Sequence, residues 1–257
     1  MKGQARRLLD SLMRTSRAEL LPVRIRRGFA TGARWTLFPW TSYWRGTHEP
    51  GVQAALAAVG GGDIRGWSCW DLGAHYGYYS VGLARRVGAR GEVAAFEPNP
   101  LSYARLERHR RMNGLAQLKT FQAAVSDAEG TADFLTYGDL GSTSSHLRYD
   151  GELGVGGTPV RVATVSLDAW VDAGRIRRPD FIKVDVEGHG HRALAGARGN
   201  LAAKRPVLMV AFHSDAEVAG IHAILEPLRY RWREIAAAPG SSADPAIGRD
   251  FLFTPRD

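Results

Sequence analysis

The stretch WDLGAHYG at residues 70–77 decides the fold class of this chain, because it reads as a glycine loop that follows a strand. A dinucleotide-binding loop has the pattern G-x-G-x-x-G, and its second glycine lets the backbone approach a pyrophosphate. If Gly73 is the first glycine, the other two positions hold His75 and Tyr78 instead. The loop therefore disfavours a dinucleotide and favours a phosphate-free ligand such as S-adenosylmethionine, with an ordinary turn as the alternative.

Strand-like and helix-like segments alternate around this loop. Asn99-Pro100, and Ser214 with Glu217, are typical helix starts. The alternation predicts an α/β fold with an open, mostly parallel sheet, and the last two strands resemble an antiparallel finish. The predicted strands are 67–72, 93–96, 118–125, 131–136, 159–164, 181–184, 207–212, 228–235 and 249–254, and the predicted helices are 77–87, 99–112, 190–199 and one that begins after Ser214.

The composition is that of an ordinary globular protein. Of 257 residues, 44% are hydrophobic and 23% are charged, which suits one large domain or one domain with an extension. No apolar run reaches about 18 residues and the N-terminus lacks a secretory h-region, so neither a transmembrane helix nor a signal peptide is predicted. Cys69 is the single cysteine, which excludes an internal disulfide and fits a cytoplasmic location.

The net charge of +8 lies mostly in residues 1–34, which hold nine Lys and Arg residues against Asp10 and Glu19. We therefore predict a basic N-terminal arm or helical extension over 1–45, followed by one domain over 46–257. The arm either packs on the domain as a solvated amphipathic helix or contacts an anionic membrane or another polyanion, which would make the protein membrane-peripheral. A glycine- and serine-rich segment at 138–158 predicts a flexible insert.

Acidic residues stand where several predicted strands end. In open α/β sheets, ligands bind outside the carboxyl ends of the strands. Asp71 ends the first strand, Glu97 ends the second, and Asp185 and Glu187 follow a later one. A carboxylate at position 97 could accept hydrogen bonds from both ribose hydroxyls of an adenosine.

Several motifs in the same order resemble the FkbM-type methyltransferases: DLGAHYGYYS, AFEPNP, AVSD, STSS, SLDAW, PDFIKVDVEG and a strand that ends in FH. The resemblance covers roughly residues 46–235. It implies the class I methyltransferase fold, a Rossmann-like sheet of seven strands with helices on both faces and an antiparallel last strand. It also implies S-adenosylmethionine as cofactor and O-methylation, often of sugar or natural-product hydroxyls.

The resemblance also implies roles for individual residues. Asp71, Gly73, His75 and Gly77 would form the loop on the methionine side of the cofactor. Glu97 would hold the ribose, and Pro98 beside it would also belong to the cofactor site. Ala124, Val125 and Asp127 would line the adenine, and Glu49 would approach the cofactor from the segment Gly46–Glu49.

The chain departs from the family pattern at four positions. His75 and His109 stand where asparagine is common, and His48 replaces a tyrosine. We expect His109 to be a helix-surface histidine. The family often has E-x-H at the end of the later strand, whereas this chain has Ala211-Phe212-His213, so the histidine is kept and the carboxylate is lost.

Methyl transfer to a hydroxyl is helped by a positioned base. The candidates are His213, Asp185 and Glu187, and His213 has the usual pKa range of a base. Glu187 could instead be a helix N-terminal charge. Together with His189 and His191 these residues invite a metal hypothesis, but their spacing matches no known metal motif, so no metal site is predicted.

Two other functions stay open. The domain could be a non-catalytic cofactor-binding or scaffolding module, or a nucleic-acid methyltransferase. The second is disfavoured because the positive charge lies in the arm and VDVEG stands where a base-flipping motif would follow the fourth strand. We expect a small-molecule or glycan acceptor, selected by residues 35–50 and 138–158.

Overall fold

The computed structural model describes residues 21–37, 41–136, 146–147, 157–235 and 248–256, and every structural statement below concerns these residues. They form three sheets flanked by helices. The strands are β1 Pro22–Arg24, β2 Arg34–Thr36, β3 Ser68–Leu72, β4 Glu92–Phe96, β5 Leu118–Phe121, β6 Ala124–Val125, β7 Gly130–Thr136, β8 His146–Leu147, β9 Thr158–Val165, β10 Phe181–Val184, β11 Val207–Ala211, β12 Tyr230–Glu234 and β13 Asp250–Pro255. The helices are α1 Pro50–Ala58, α2 Tyr78–Val87, α3 Pro100–Met112, α4 Leu167–Asp172, α5 Gly190–Ala195, α6 Arg198–Lys204 and α7 Asp215–Leu225.

The central sheet has seven strands in the order β12-β13-β11-β10-β3-β4-β5. Neighbouring strands from β11 to β5 pair in parallel, whereas β13 pairs antiparallel with both β11 and β12. The predicted α/β class, the mostly parallel sheet and the antiparallel last strand are therefore confirmed. The carboxyl ends of β3, β4, β10 and β11 meet at one edge of the sheet, where the polar residues that follow these strands come together.

Side chains alternate between two hydrophobic cores, one on each face of this sheet. In β3, Cys69 packs into one core and Trp70 and Leu72 into the other, because successive strand residues point to opposite faces. Helix α2 covers the first core through residues such as Leu83, and helix α7 covers the second through residues such as Ile221. All five residues of β3 are buried, as expected for a strand covered on both sides.

The region after β5 differs from the prediction of one strand over 118–125. Strand β5 ends at Phe121, and β6 leaves the edge of the central sheet to pair with Thr164 and Val165 of β9. Strands β6, β9, β7 and β8 form a separate four-stranded sheet in that order. The helix predicted over 190–199 is likewise divided into α5 and α6, with Gly196 at the break.

Residues 22–36, which we assigned to the N-terminal arm, form an antiparallel hairpin of β1 and β2. Ile25 and Trp35 of this hairpin region are fully buried in the first core. The helical extension and its membrane or polyanion contact fall largely on residues 1–20, which lie outside the described residues, and so does most of the insert at 138–158. Within the described chain, no helix combines the length and the apolar character needed to cross a membrane.

The expectation for His109 was wrong. Its side chain is 1% exposed and its ring stacks on Trp35 with ring centroids 3.5 Å apart. Nδ1 lies 2.8 Å from the carbonyl oxygen of Tyr76, and the backbone N–H of Thr36 donates to Nε2 at 3.2 Å. His109 therefore joins the hairpin, α3 and the loop after β3, and burial lowers its pKa to about 3.

Candidate active site

A cavity of about 400 Å³ lies at the carboxyl ends of β3, β4, β10 and β11. This is the edge at which open α/β sheets bind ligands, and the volume lies in the range of small-molecule sites. Ten of the thirteen residues predicted from the sequence line its wall: Glu49, Gly73, His75, Glu97, Pro98, Ala124, Val125, Asp185, Glu187 and His213.

The other three predicted residues, Asp71, Gly77 and Asp127, are not among those that line the cavity. Asp71 is 1% exposed beneath the loop, accepts a hydrogen bond from Ser80 of α2, and has a pKa that burial raises. Gly77 is the N-cap of α2 at φ 85°, and Asp127 accepts a hydrogen bond from Ser126 at 2.9 Å. These positions support the loop and the neighbouring turn from outside the cavity.

Gly73 is required by a contact within the protein. Its φ is 84°, and a Cβ built there would lie 1.8 Å from the backbone carbonyl oxygen of Asp185. His75 follows at φ 49°, a left-handed conformation that asparagine also adopts readily, so both residue types suit this position. The His75 ring stacks on Tyr76 at 3.8 Å, and its Nδ1 lies 3.0 Å from the Tyr43 hydroxyl.

Glu97 is held in place by two backbone amides. The N–H of Asn99 donates to Oε1 at 2.8 Å and the N–H of His75 donates to Oε2 at 2.7 Å. Burial raises the pKa of Glu97 to about 7, although these two hydrogen bonds oppose the shift. A carboxylate can accept about four hydrogen bonds, so each oxygen of Glu97 retains capacity for a hydroxyl in the cavity.

Ala124 and Val125 form an apolar wall beyond Glu97, together with Phe134 and Leu147 of the small sheet. Phe134 and Leu147 are paired across β7 and β8 and are both buried. This wall offers the flat apolar contact that a heterocyclic base would need, next to a carboxylate suited to ribose hydroxyls. Together with the Gly73 loop, these apolar side chains and the Glu97 carboxylate fit an adenosine-containing cofactor.

The other end of the cavity is acidic, with carboxyl groups from Glu49, Asp185, Glu187 and Asp250. Glu49 accepts a hydrogen bond from Tyr79 at 2.7 Å and lies 3.2 Å from His48, and these contacts outweigh burial and lower its pKa to about 2.

Burial, followed by repulsion from Glu49 and Asp185, raises the pKa of Asp250 to about 6. Burial also raises the pKa of Glu187, with repulsion from Asp185 adding to the shift. The electrostatic field at this end of the cavity therefore favours positive charge.

Lys183 supplies a buried cation next to this cluster. Its side chain is 5% exposed, and Nζ donates to Asp185 Oδ2 at 2.7 Å. Burial opposes its protonation, but the carboxylates of Asp185 and Asp71 outweigh burial and raise the pKa of Lys183. The ammonium therefore stays charged and fixes one oxygen of Asp185.

His213 follows β11 and faces the carboxylates. Its Nε2 lies 3.5 Å from Asp185 Oδ1 and 3.8 Å from Glu187 Oε2, and its Nδ1 lies 3.6 Å from Glu217 Oε2. Burial disfavours the imidazolium, but Glu217, Asp185 and Glu187 outweigh burial and raise the pKa of His213 to about 9. The ring therefore carries a proton near neutral pH, which differs from the unshifted base expected from the sequence.

Sequence reasoning missed Tyr43, Lys183 and Asp250. Tyr43 is a buried residue of a short 3₁₀ turn at 43–45, and it contacts His75 across 32 residues of sequence. Asp250 lies directly opposite Ala211 in the antiparallel pair of β11 and β13, and both line the cavity. A carboxyl group is thus present beside position 211, where the family motif has glutamate, and no local sequence signal links these two residues.

The seven-stranded sheet with an antiparallel last strand, and a cavity at the carboxyl ends of its parallel strands, define a class I methyltransferase fold. Residues 71–232 match the family described as the Methyltransferase FkbM domain. The match covers more than half of the chain, and the chain belongs to this family of S-adenosylmethionine-dependent methyltransferases.

Two characterised relatives are similar to this chain. The hexuronic acid methyltransferase AglP of Haloferax volcanii is 28% identical in an alignment of 165 residues, and the alignment covers 61% of this chain and 60% of that protein. The 2-O-methyltransferase NoeI of Sinorhizobium fredii is 26% identical in an alignment of 147 residues, and the alignment covers 50% of this chain and 56% of that protein. The chain thus spans less than two thirds of the length of these relatives.

A crystal structure of a methyltransferase FkbM from Methylobacillus flagellatus has a similar fold. It superposes with a TM-score of 0.51 at 18% identity and covers 73% of this chain and 43% of that one. At this identity the superposition supports the fold only.

Proposed function

We propose that this chain is an S-adenosylmethionine-dependent O-methyltransferase that acts on a hydroxyl group of a sugar, a glycolipid or a natural product. The observation that carries the proposal is the division of one cavity into two ends. One end combines Glu97 with apolar side chains and suits an adenosine, and the other gathers carboxylates that suit hydroxyl groups. The names of the two relatives, a hexuronic acid methyltransferase and a 2-O-methyltransferase, support a sugar-type acceptor.

In this proposal the cofactor end is built on the loop after β3 and on Glu97. Glu97 accepts the ribose hydroxyls, with its own orientation fixed by the amides of His75 and Asn99. Ala124 and Val125 contact the adenine. Asp71 and Gly77 lie outside the cavity, where they hold the loop against α2. When bound, the cofactor supplies a methyl group on a positively charged sulfur.

The acceptor end has to position a hydroxyl and take up its proton. Asp185 and Glu187 present carboxylate oxygens to the cavity, and an acceptor hydroxyl can donate a hydrogen bond to either of them. His213 lies within 4 Å of both carboxylates and orients them. Positioning of this kind is the main contribution that a protein makes to a transfer whose reactive group belongs to the cofactor.

The first test is cofactor binding by calorimetry. Glu97→Ala should weaken S-adenosylmethionine at least tenfold, because the ribose hydroxyls lose their acceptor. Asp127→Ala is the matched control, because that carboxylate does not line the cavity, and it should change the affinity less than twofold. Equal affinities for the wild type and Glu97→Ala would remove Glu97 from the ribose site.

The second test is methyl transfer from radiolabelled S-adenosylmethionine into a cell extract that is then divided into glycan, lipid, small-molecule and RNA fractions. Label in a glycan, lipid or small-molecule fraction supports the proposal. Label in RNA would favour a nucleic-acid methyltransferase instead. Tight cofactor binding with no transfer into any fraction would favour the non-catalytic module.

A further inference from the structure

We propose that Asp185, Glu187 and His213 form a binding site for one divalent metal ion, held by one carboxylate oxygen from each acidic residue and by Nε2 of the imidazole. The three side chains each contribute one ligand atom, and these atoms all lie within 4.8 Å of one another. They come from the ends of two neighbouring parallel strands, β10 and β11, and line the acidic end of the cavity.

The separations fit a common ion better than direct hydrogen bonds. Nε2 of His213 lies 3.5 Å from Asp185 Oδ1 and 3.8 Å from Glu187 Oε2, which is longer than an ordinary N–H···O bond. Two ligands that each lie about 2.1 Å from an ion are roughly 3.0 to 3.7 Å apart for angles between about 90° and 120°. The two distances from Nε2 lie near the upper end of this range, and all three ligand atoms lie within 4.8 Å of one another.

Neighbouring groups restrict the positions of two of the proposed ligands, Asp185 and His213. Lys183 Nζ donates to Asp185 Oδ2 at 2.7 Å, so Oδ1 is the oxygen that faces His213. The fully buried Glu217 carboxylate lies behind the imidazole, with Oε2 3.6 Å from Nδ1. A metal-ligating histidine usually donates its other ring N–H to a carboxylate, and at 3.6 Å Glu217 lies near that nitrogen but beyond hydrogen-bond distance.

Glu217 is itself anchored, which makes this support rigid. Its Oε1 accepts the backbone N–H of Gly190 at 2.7 Å, and its Oε2 accepts the backbone N–H of His213 at 2.8 Å. Glu217 belongs to α7, whereas the proposed ligands follow β10 and β11. Glu217 therefore ties α7 to the residue that follows β11 and holds its carboxylate beside the imidazole.

Of the residues that the sequence suggested for a metal site, the proposal keeps these three. Nε2 of His189 lies 3.1 Å from the Ser126 hydroxyl, so that ring is turned towards β6. Two anionic oxygens and one imidazole nitrogen suit first-row divalent ions such as Mn²⁺. The role of the ion rests on the proposed function: in the acceptor end it would bind the acceptor hydroxyl oxygen and lower the pKa of that hydroxyl.

The test is a titration of the metal-free chain with Mn²⁺ at pH 8. Electron paramagnetic resonance measures the unbound ion during the titration, and calorimetry measures the heat of binding. Imidazole and carboxylate ligands bind metal in their deprotonated forms, so an alkaline pH limits the competition from protons. We expect one equivalent of Mn²⁺ to bind. Glu187→Gln and His213→Gln should each weaken binding at least tenfold.

Asp250→Asn is the matched control, because it removes a carboxylate from the same cavity outside the proposed ligand set. It should leave the Mn²⁺ affinity within threefold of the wild type. An equal loss in Asp250→Asn and Glu187→Gln would show that only the general negative field attracts the ion and would overturn the site. Absence of Mn²⁺ binding to the wild type at about 1 mM would overturn it as well.

S-adenosylmethionine affinity, measured on the same samples, reports that each variant is folded. It also separates the two proposals. Cofactor binding without Mn²⁺ binding leaves the methyltransferase proposal standing and removes the metal site. Mn²⁺ binding that is lost in Glu187→Gln, in a protein that does not bind the cofactor, supports the metal site and contradicts the proposed function.

Discussion

The backbone carbonyl oxygen of Asp185 occupies the space next to Gly73 that a β-carbon would fill, 1.8 Å from its ideal position. The loop after β3 and the turn after β10 are therefore packed backbone to backbone. In the proposed function, one of these segments builds the cofactor end of the cavity and the other builds the acceptor end, so this contact would set the distance between the two ends.

Substitution Gly73→Ala should therefore be strongly destabilising. Left-handed backbone costs an alanine about 1–2 kcal/mol, and the clash with Asp185 adds to it. Gly61 is the matched control, since it has φ 68° with nothing within 4 Å of an added Cβ. Denaturant unfolding should give a loss of about 1 kcal/mol for Gly61→Ala and a clearly larger loss for Gly73→Ala. Equal losses would contradict the packing role.

The pKa of Glu97 gives a prediction for the pH dependence of cofactor binding. Because burial raises this pKa to about 7, the carboxyl is protonated below that pH and is a weaker acceptor for ribose hydroxyls. The dissociation constant of S-adenosylmethionine should rise as the pH falls from 8 to 6 and approach about tenfold per pH unit below the pKa.

Calorimetry at several pH values checks this. Glu97→Gln should bind more weakly and lose most of the pH dependence, whereas Asp127→Asn should keep the wild-type profile. A Glu97→Gln variant with the full wild-type slope would assign the titration to another group.

His109 predicts a pH dependence of stability. Its pKa in the folded protein is about 3, below the ordinary value of 6.5, so the unfolded chain takes up the proton first. The stabilisation is present above pH 6.5 and is lost as the pH falls towards 3, by about 1.4 kcal/mol per unit at most.

The measurement is urea unfolding of the wild type and His109→Asn at pH 7, 6 and 5. His109→Asn should be less stable at pH 7, because the stacking on Trp35 is lost, but its stability should fall less between pH 7 and 5. Arg111→Ala, a 70% exposed side chain on the same helix, should match the wild type at each pH. Parallel curves for His109→Asn and the wild type would contradict the buried, neutral histidine.

Lys183 and Lys204 form a matched pair of lysine–aspartate contacts. Each Nζ lies 2.7 Å from its aspartate oxygen, but the Lys183 side chain is 5% exposed and the Lys204 side chain is 42% exposed. Lys183→Met should cost about 3–5 kcal/mol, since the buried Asp71 and the half-buried Asp185 lose their cation, and Lys204→Met should cost less than about 1 kcal/mol.

Chemical denaturation measures both costs. Adding Asp185→Asn to Lys183→Met should restore part of the stability, because the uncompensated charge at 185 is removed. No recovery in the double variant would show that Lys183 stabilises the fold through its packing alone.

The central fold could be predicted from the sequence because its signals are local. Apolar runs such as that of β11, helix starts such as Asn99-Pro100, and the glycine loop depend on residues that are neighbours along the chain. The break between β5 and β6 could not be predicted in this way. It depends on pairing with β9, about 40 residues further on, and the apolar pattern of 118–125 is the same for one strand or two.

The sequence by itself determined which residues stand at the strand ends, and the chemistry of those residues followed: Glu97 beside a glycine loop, and Asp185, Glu187 and His213 after later strands. Only the tertiary structure decided which groups surround each of these residues. It placed Asp250 opposite Ala211 and buried His109 against Trp35. It also placed the Lys183 ammonium next to Asp185, and the Glu217 carboxylate next to His213. The physical reason is that burial and electrostatic fields depend on distance in space, which residue spacing along the chain does not fix.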